Sequence, residues 1–508
     1  MSTDLASEKM AASGETSARW PAWLPPALIL ALAAALRLYH LGAENLWLDE
    51  VFSMEQVAAP WDGIDRYWNM GTRPLGLVLL YFATLFGDSE FLVRLPYAIV
   101  SVLDVGAIYL VSRDLAGRRI ALRAALFLAV LPLHVWYAQE ARWYAQWAFL
   151  ATLSFLALIR LWKTGRTRWW LLHGVTLVMA LYTFVVSIPL VIVHAVAGWL
   201  LPDRGERRAF RCKVLVVVLV AGALMLPVFY LAFAAAEGGG GRGAVGTPRA
   251  TTLVALPYLF FAYVAGYTIG PSLAELHHLP SPGSILTSYP EVVLYYVVFM
   301  PIAALGLWSF RERRACGAVL GPWVAGFPLM VFAISVFQGQ TFNVRYTFLA
   351  VPGFALLLSL GVEKLGRWRL AGTVAAVGLF AMSLQNFYAD PRYDKEDVRG
   401  AIQYVRTSPL PDQPVAVVGQ GVAAAAYYGE GLEVERLMGC GGAVEGRSDS
   451  RTPEVRLPDL RSQPSFWLVV VRDWEESADR CAERMTATHQ VVRRAEFTGV
   501  DLLLLERR

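Results

Sequence analysis

Asp49 and Glu50 stand side by side between Trp47 and Phe52, just beyond the first long apolar run of the chain. Two acids held against apolar flanks near a membrane surface are partly desolvated, and a carboxylate in that setting suits a general base for a hydroxyl or an amine. The plain alternative is a solvated acidic loop, since Glu44 and Glu55 lie close by. Arginines at unusual places accompany the pair. Arg37 falls inside the outer third of the first apolar run, where an unpaired charge is unfavourable by several kcal/mol. Arg73-Pro74, Arg94-Leu95-Pro96, Gln139-Glu140-Ala141-Arg142-Trp143-Tyr144 and Arg345-Tyr346 sit at the ends of other apolar runs. Guanidinium forks match phosphate oxygens by bidentate, charge-assisted hydrogen bonds. Each arginine alone reads as an interfacial anchor. Taken as a group, they predict a phosphate site built from Arg37, Arg73, Arg142, Tyr144, Arg345 and Tyr346, with Asp49 and Glu50 as the catalytic acids.

The elements that position these residues follow from composition. Of 508 residues 56% are hydrophobic and only 17% charged, against about 25% charged in ordinary soluble proteins. A water-soluble globule could not cover so much apolar side chain, and a disordered chain or a small secreted domain is excluded too. The net charge of +4 names no partner. Runs near 23–41, 94–113, 119–137, 144–161, 169–184, 187–201, 213–235, 289–308, 315–337, 346–362 and 369–386 predict about eleven transmembrane helices. Every second connection is basic: Arg113 to Arg123, Arg160 to Arg168, Arg204 to Lys213, Arg311 to Arg314, Lys364 to Arg369. The positive-inside rule then places the N-terminus in the cytoplasm and the C-terminal tail outside. The first residues are polar and of mixed charge with no small-residue cleavage site after the apolar run, which argues against a cleaved signal.

Two outer segments exceed simple connections. The first, 42–93, carries Trp61, Ile64 and Trp68 at helical spacing, which predicts an interfacial helix, and the apolar stretch Leu75–Phe86, too short to span. The second, 237–289, opens with the flexible run Gly238–Gly241. Beyond residue 386 the charge rises and apolar runs shorten to strand length. Strands are expected at Pro414–Gly419, Phe466–Val471 and Leu502–Leu505, and helices at Asp397–Val405 and Glu476–Thr488. The chain therefore divides into a transmembrane catalytic domain, 1–386, and a small extracytoplasmic α/β domain, 387–508.

Gly419-Gln420-Gly421-Val422-Ala423-Ala424 imitates a dinucleotide fingerprint, but outside the membrane it reads as a structural turn. His277-His278 after Glu275 is a weak metal signal. Four cysteines make neither a disulfide scaffold nor a spaced zinc motif. Cys440 and Cys481 both fall in the outer domain, where a bridge between them is permitted.

The order Arg37-Leu38, Leu46-Trp47-Leu48-Asp49-Glu50, Arg73-Pro74-Leu75, Phe86-Gly87-Asp88-Ser89-Glu90, Arg94-Leu95-Pro96 and Tyr137-Ala138-Gln139-Glu140-Ala141-Arg142-Trp143-Tyr144 resembles bacterial members of glycosyltransferase family 39, in the lipid-dependent GT-C superfamily. Gly270-Pro271-Ser272-Leu273-Ala274-Glu275-Leu276-His277 and Arg345-Tyr346 extend the likeness over some 300 residues. Protein O-mannosyltransferases and lipid A aminoarabinose transferases are similar in architecture. The resemblance implies an inverting transfer of a sugar from a polyprenyl-phosphate carrier to a lipid, glycan or protein acceptor outside a bacterial cytoplasmic membrane. It implies Asp49 as the base, Glu50 as its positioner or a donor contact, and the outer basic residues as stabilisers of the departing phosphate. Relatives carry His-Pro-Pro or Glu-Lys-Pro-Pro where this chain has Thr72-Arg73-Pro74-Leu75, so no metal or other cofactor is expected, with a divalent ion left open. No nucleic-acid partner is implied. The competing readings are a transporter, against which the absence of a visible internal repeat counts, and a non-catalytic protein that binds lipid-linked sugars.

Overall fold

The structure, a computed structural model, describes residues 21–58, 75–205, 207–237, 252–272, 275, 282–339, 341–408, 410, 413–419, 421–438, 454–471 and 477–508. The Trp61–Trp68 stretch, Arg73, Gly238–Gly241, His277-His278, Cys440 and the Cys481 side chain lie outside what is described.

Each of the eleven apolar runs contains helix. In chain order the first elements are α1 (Leu24–Leu38), α2 (Leu48–Ala58), α3 (Val78–Thr84), α4 (Glu90–Ala116), α5 (Arg118–Val130), α6 (Pro132–Ala138) and α7 (Tyr144–Thr164). Helices at Thr167–Thr183, Pro189–Leu200, Arg207–Glu237, Pro290–Trp308, Arg314–Phe337, Val344–Lys364 and Gly366–Ala389 complete the bundle. Leu219, Leu226, Val297 and Val374 are exposed on its outside, a face suited to lipid and not to water. This is a multi-span membrane protein. Seven helices among the described residues are long and apolar enough to cross, eight if the bent pair α5–α6 counts as one. The figure of eleven crossings is therefore not established, because α1 and the helices Thr167–Thr183 and Pro189–Leu200 fall short of the roughly 20 residues a crossing needs.

Local sequence explains the elements that matter for the site. Ser89 caps α4, its Oγ accepting from Leu92 N–H. The helix then runs 27 residues, about 40 Å, from Arg94 at one end to Asp114 at the other. At that far end Arg160 pairs with Asp114 at 2.9 Å and Arg123 with Glu363 at 3.1 Å. Between α5 and α6 the axis bends by 58°. Pro132 has no N–H to give Leu128 and forces Leu131 into an extended conformation. The helices 290–308 and 344–364 approach so closely at Gly361 that a Cβ there would lie 1.8 Å from Ile302 O, so only glycine fits.

Beyond Ala389 a six-stranded sheet forms, in the order β3-β2-β1-β4-β6-β5. Its strands are β1 (Val415–Val418), β2 (Val434–Met438), β3 (Glu454–Arg456), β4 (Ser465–Val471), β5 (His489–Phe497) and β6 (Val500–Arg507). β1, β2, β3 and β4 run parallel, with β6 and β5 antiparallel at the other edge. The buried run of β4 fixes it as a central strand. Asp397 caps the helix Val398–Thr407 by accepting from Gly400 N–H at 2.8 Å. Gly419 leaves β1 at φ +91°, which explains the first glycine of the fingerprint-like run as a turn residue.

Candidate active site

Adjacent on α2, Asp49 and Glu50 point to different environments. Glu50 is fully buried. Its Oε1 accepts from Arg94 Nε at 2.8 Å and from the Ala141 N–H at 2.7 Å; its Oε2 accepts from Arg94 Nη2 at 2.8 Å and lies 3.4 Å from Lys395 Nζ. Burial pushes the Glu50 pKa up, but Arg94, Lys395 and the Ala141 amide outweigh that and hold it at about 2. Arg94 commits its remaining donors to the carbonyls of Leu41, Glu44 and Asn45. One bidentate ion pair thus fixes the whole turn that leads into α2.

The Asp49 side chain is 19% exposed. Arg345 Nη1 donates to its Oδ2 at 2.7 Å, and Arg142 Nη2 stands 3.8 Å from the same oxygen. Arg142 is itself anchored, donating to the Asp49 carbonyl at 2.8 Å and to Ser53 Oγ at 2.7 Å, with its guanidinium 3.8 Å from the Trp143 ring centre and 6.0 Å from that of Tyr144. Arg345 lies 5.7 Å from the Tyr346 ring. Among the described residues neither arginine's Nε has a hydrogen-bond partner. Asp49, Arg142, Tyr144, Arg345 and Tyr346, from three separate parts of the sequence, are brought together.

Arg37 is not brought to this cluster. It is fully buried, and each of its five N–H groups is taken: Nε by Ser101 Oγ at 2.7 Å, Nη1 by the carbonyls of Ala33 and Ala129, Nη2 by the Leu128 carbonyl and His134 Nδ1. Leu128 and Ala129 are the carbonyls orphaned by the break at Pro132. Arg37 caps the end of α5 inside the helix bundle and has no donor left for a phosphate, which corrects its expected role. His134 Nε2 continues the network to Asp104 at 3.2 Å.

Glu140, in the run Gln139–Tyr144, has no role expected from the sequence. It is 2% exposed; Oε1 accepts from Trp136 Nε1 at 2.8 Å and Oε2 has no partner among the described residues. Burial pushes its pKa up to about 7, with Lys395 and Arg142 opposing and Glu50 and Asp49 adding to the rise. A single acid in a motif of six mixed residues gave no signal of that burial. Among the described residues no group of three or more His, Cys, Asp or Glu could hold a metal ion.

Residues 75–231 match the family described as dolichyl-phosphate-mannose-protein mannosyltransferase. Over 95% of this chain, the structure is similar to that of ArnT from Cupriavidus metallidurans in the apo state, with 14% identity, 97% of that chain covered and a TM-score of 0.56. The chain shares the fold of that structure. A second ArnT structure from the same organism, bound to undecaprenyl phosphate, matches at 14% identity over 95% of this chain and 98% of that one, with a TM-score of 0.52. No curated protein gives a sequence match. Within this chain the family match includes α4 to α7, and so Arg94, Glu140 and Arg142, while Asp49, Glu50 and Arg345 lie outside the matched stretch.

Proposed function

We propose that the chain is an inverting glycosyltransferase that moves a sugar from a polyprenyl-phosphate donor to an acceptor on the outer face of a bacterial cytoplasmic membrane, with the N-terminus cytoplasmic and the C-terminal domain outside. The observation that carries this reading is the Asp49 carboxylate held between Arg345 and Arg142, both with an uncommitted Nε–H, at the ends of membrane helices. The resemblance to an ArnT bound to undecaprenyl phosphate supports a lipid-linked donor.

The geometry supplies the steps. A donor phosphate entering from the lipid competes with Asp49 for the two guanidinium groups, so its arrival frees a carboxylate oxygen. Asp49 then takes the proton of the acceptor hydroxyl or amine. The acceptor atom bonds to the anomeric carbon from the face opposite the phosphate, and the bond between that carbon and the phosphate oxygen breaks. The departing phosphate gathers negative charge, which Arg142 and Arg345 stabilise in a site partly screened from water. Glu50 takes no part in proton transfer; locked by Arg94, it sets the direction of Asp49.

A membrane assay with a panel of labelled polyprenyl-phosphate sugars tests the reading, comparing the native chain with Asp49→Asn. Transfer by the native chain and none by the variant is expected. Equal transfer by both would remove Asp49 from the reaction, and transport of the sugar across the bilayer without transfer would support the transporter reading.

A further inference from the structure

Contacts between the membrane bundle and the segment after Ala389 concentrate on the turn that carries Asp49 and Glu50. Lys395 lies on the connection from the last membrane helix to the outer domain, in the run Asp394-Lys395-Glu396-Asp397. Such a run reads as solvated linker, yet the Lys395 side chain is only 12% exposed. Its Nζ stands 3.4 Å from Glu50 Oε2 and 3.8 Å from Glu44 Oε2, and its backbone N–H donates to Glu44 Oε1 at 3.4 Å. Two further ties come from the outer domain to the same turn. Arg399 donates to Glu90 Oε1 and to the Ala43 carbonyl, both at 2.6 Å. Tyr428 Oη accepts from the Leu46 N–H at 2.7 Å and donates to Glu90 Oε1 at 2.9 Å.

Glu50 needs no further cation to be paired, since Arg94 already grips both of its oxygens. What Lys395 adds is charge balance. Among the described residues the acids gathered here are Asp49, Glu44, Glu50 and Glu140, the other cations facing them are Arg94, Arg142 and Arg345, and Glu90 is balanced by Arg399. Without Lys395 the acids outnumber the cations whenever Glu140 is ionised, and an anionic donor would meet a net negative site. We propose that Lys395 is a positioning residue of the transfer site: it ties the Asp49–Glu50 turn to the outer domain and supplies the positive charge that lets the acid cluster accept a phosphate. The outer domain is on this account a component of the site and not an appendage. The inference rests on the transfer reading given above.

The test uses the full chain in lipid nanodiscs, with undecaprenyl phosphate as the probe of phosphate binding and the labelled-sugar assay as the measure of turnover. Lys395→Met should weaken probe binding and raise the donor KM, each about tenfold, the scale of one nearby charge at a partly screened site. Lys395→Arg should restore most of both. Adding Glu44→Gln to Lys395→Met removes one negative charge and should recover probe binding, which a merely structural strut would not do. Should Lys395→Met fail to fold, Lys395→Gln with and without Glu44→Gln reads the same recovery. Native-like binding in Lys395→Met, or no recovery on adding Glu44→Gln, overturns the role of Lys395 alone. A native chain that neither binds undecaprenyl phosphate nor transfers sugar overturns the transfer reading instead.

Discussion

Two neighbouring acids with opposite settings make sharply different mutants. Asp49→Asn leaves Arg142 and Arg345 in place and removes their competitor, so undecaprenyl phosphate should bind at least as tightly as to the native chain while transfer falls by about 10²–10⁴, the usual span for a lost general base. Isothermal titration beside the transfer assay checks both halves. Glu140 gives a pH-dependent prediction. Its pKa is raised by burial to about 7, against opposing charges on Lys395 and Arg142 and reinforcing ones on Glu50 and Asp49. A carboxyl raised in the folded state binds a proton there that the unfolded chain has already released, so stability falls as pH rises from about 4.5 to 7. Glu140→Gln should therefore raise the thermal midpoint at pH 8 and leave it nearly unchanged at pH 5, where the native side chain is already neutral. An equal shift at both pH values would contradict the ionisation state assigned to Glu140.

At the scale of elements, the break between α5 and α6 is the joint that sets where Glu140 and Arg142 emerge. Arg37 is the group that satisfies its open carbonyls. Arg37→Lys keeps the charge but has too few donors, and should destabilise the fold by about 3–5 kcal/mol, as breaking a buried charged network does. The protein that does fold should still bind undecaprenyl phosphate, the opposite of what a phosphate ligand would do; thermal midpoints and probe titration separate the two. This element also shows where sequence reading stops. Pro132 announces a break, and Arg37 announces a buried charge, but nothing in their spacing of 95 positions says that one answers the other. Asp49, Arg142 and Arg345 were legible because charge against an apolar background stands out. Lys395 was not, because three acids surround it in sequence and its contacts with Glu44 and Glu50 form only when the segment folds back onto the turn before α2. The apolar helices were visible from hydropathy alone, whereas β2, β3 and β5 are short or mostly polar and gave no alternating pattern. Helices of 15 and 12 residues lie too near the limit of a crossing for composition to count them.

For the whole molecule, the turn holding Asp49 and the outer domain share one side, since Lys395, Arg399 and Tyr428 all touch that turn. The proposed orientation puts this side outside and the exposed Cys212 at the cytoplasmic end of the helix Arg207–Glu237. A membrane-impermeant maleimide should leave Cys212 unlabelled in intact cells and label it in inverted vesicles. The reverse pattern would turn the molecule over and place the site in the cytoplasm. The two acids also differ in how long each waits for its partner during synthesis. Glu50 meets Arg94 after 44 further residues, whereas Asp49 meets Arg345 only after 296. At ordinary ribosomal speeds of about 5–20 residues per second, that second wait lasts roughly 15–60 s. Through that interval the nascent chain has the Arg94 partner of Glu50 but lacks Arg345, and Lys395 comes later still. On the proposed reading, both arginines of the site are present only once nearly the whole bundle has been made.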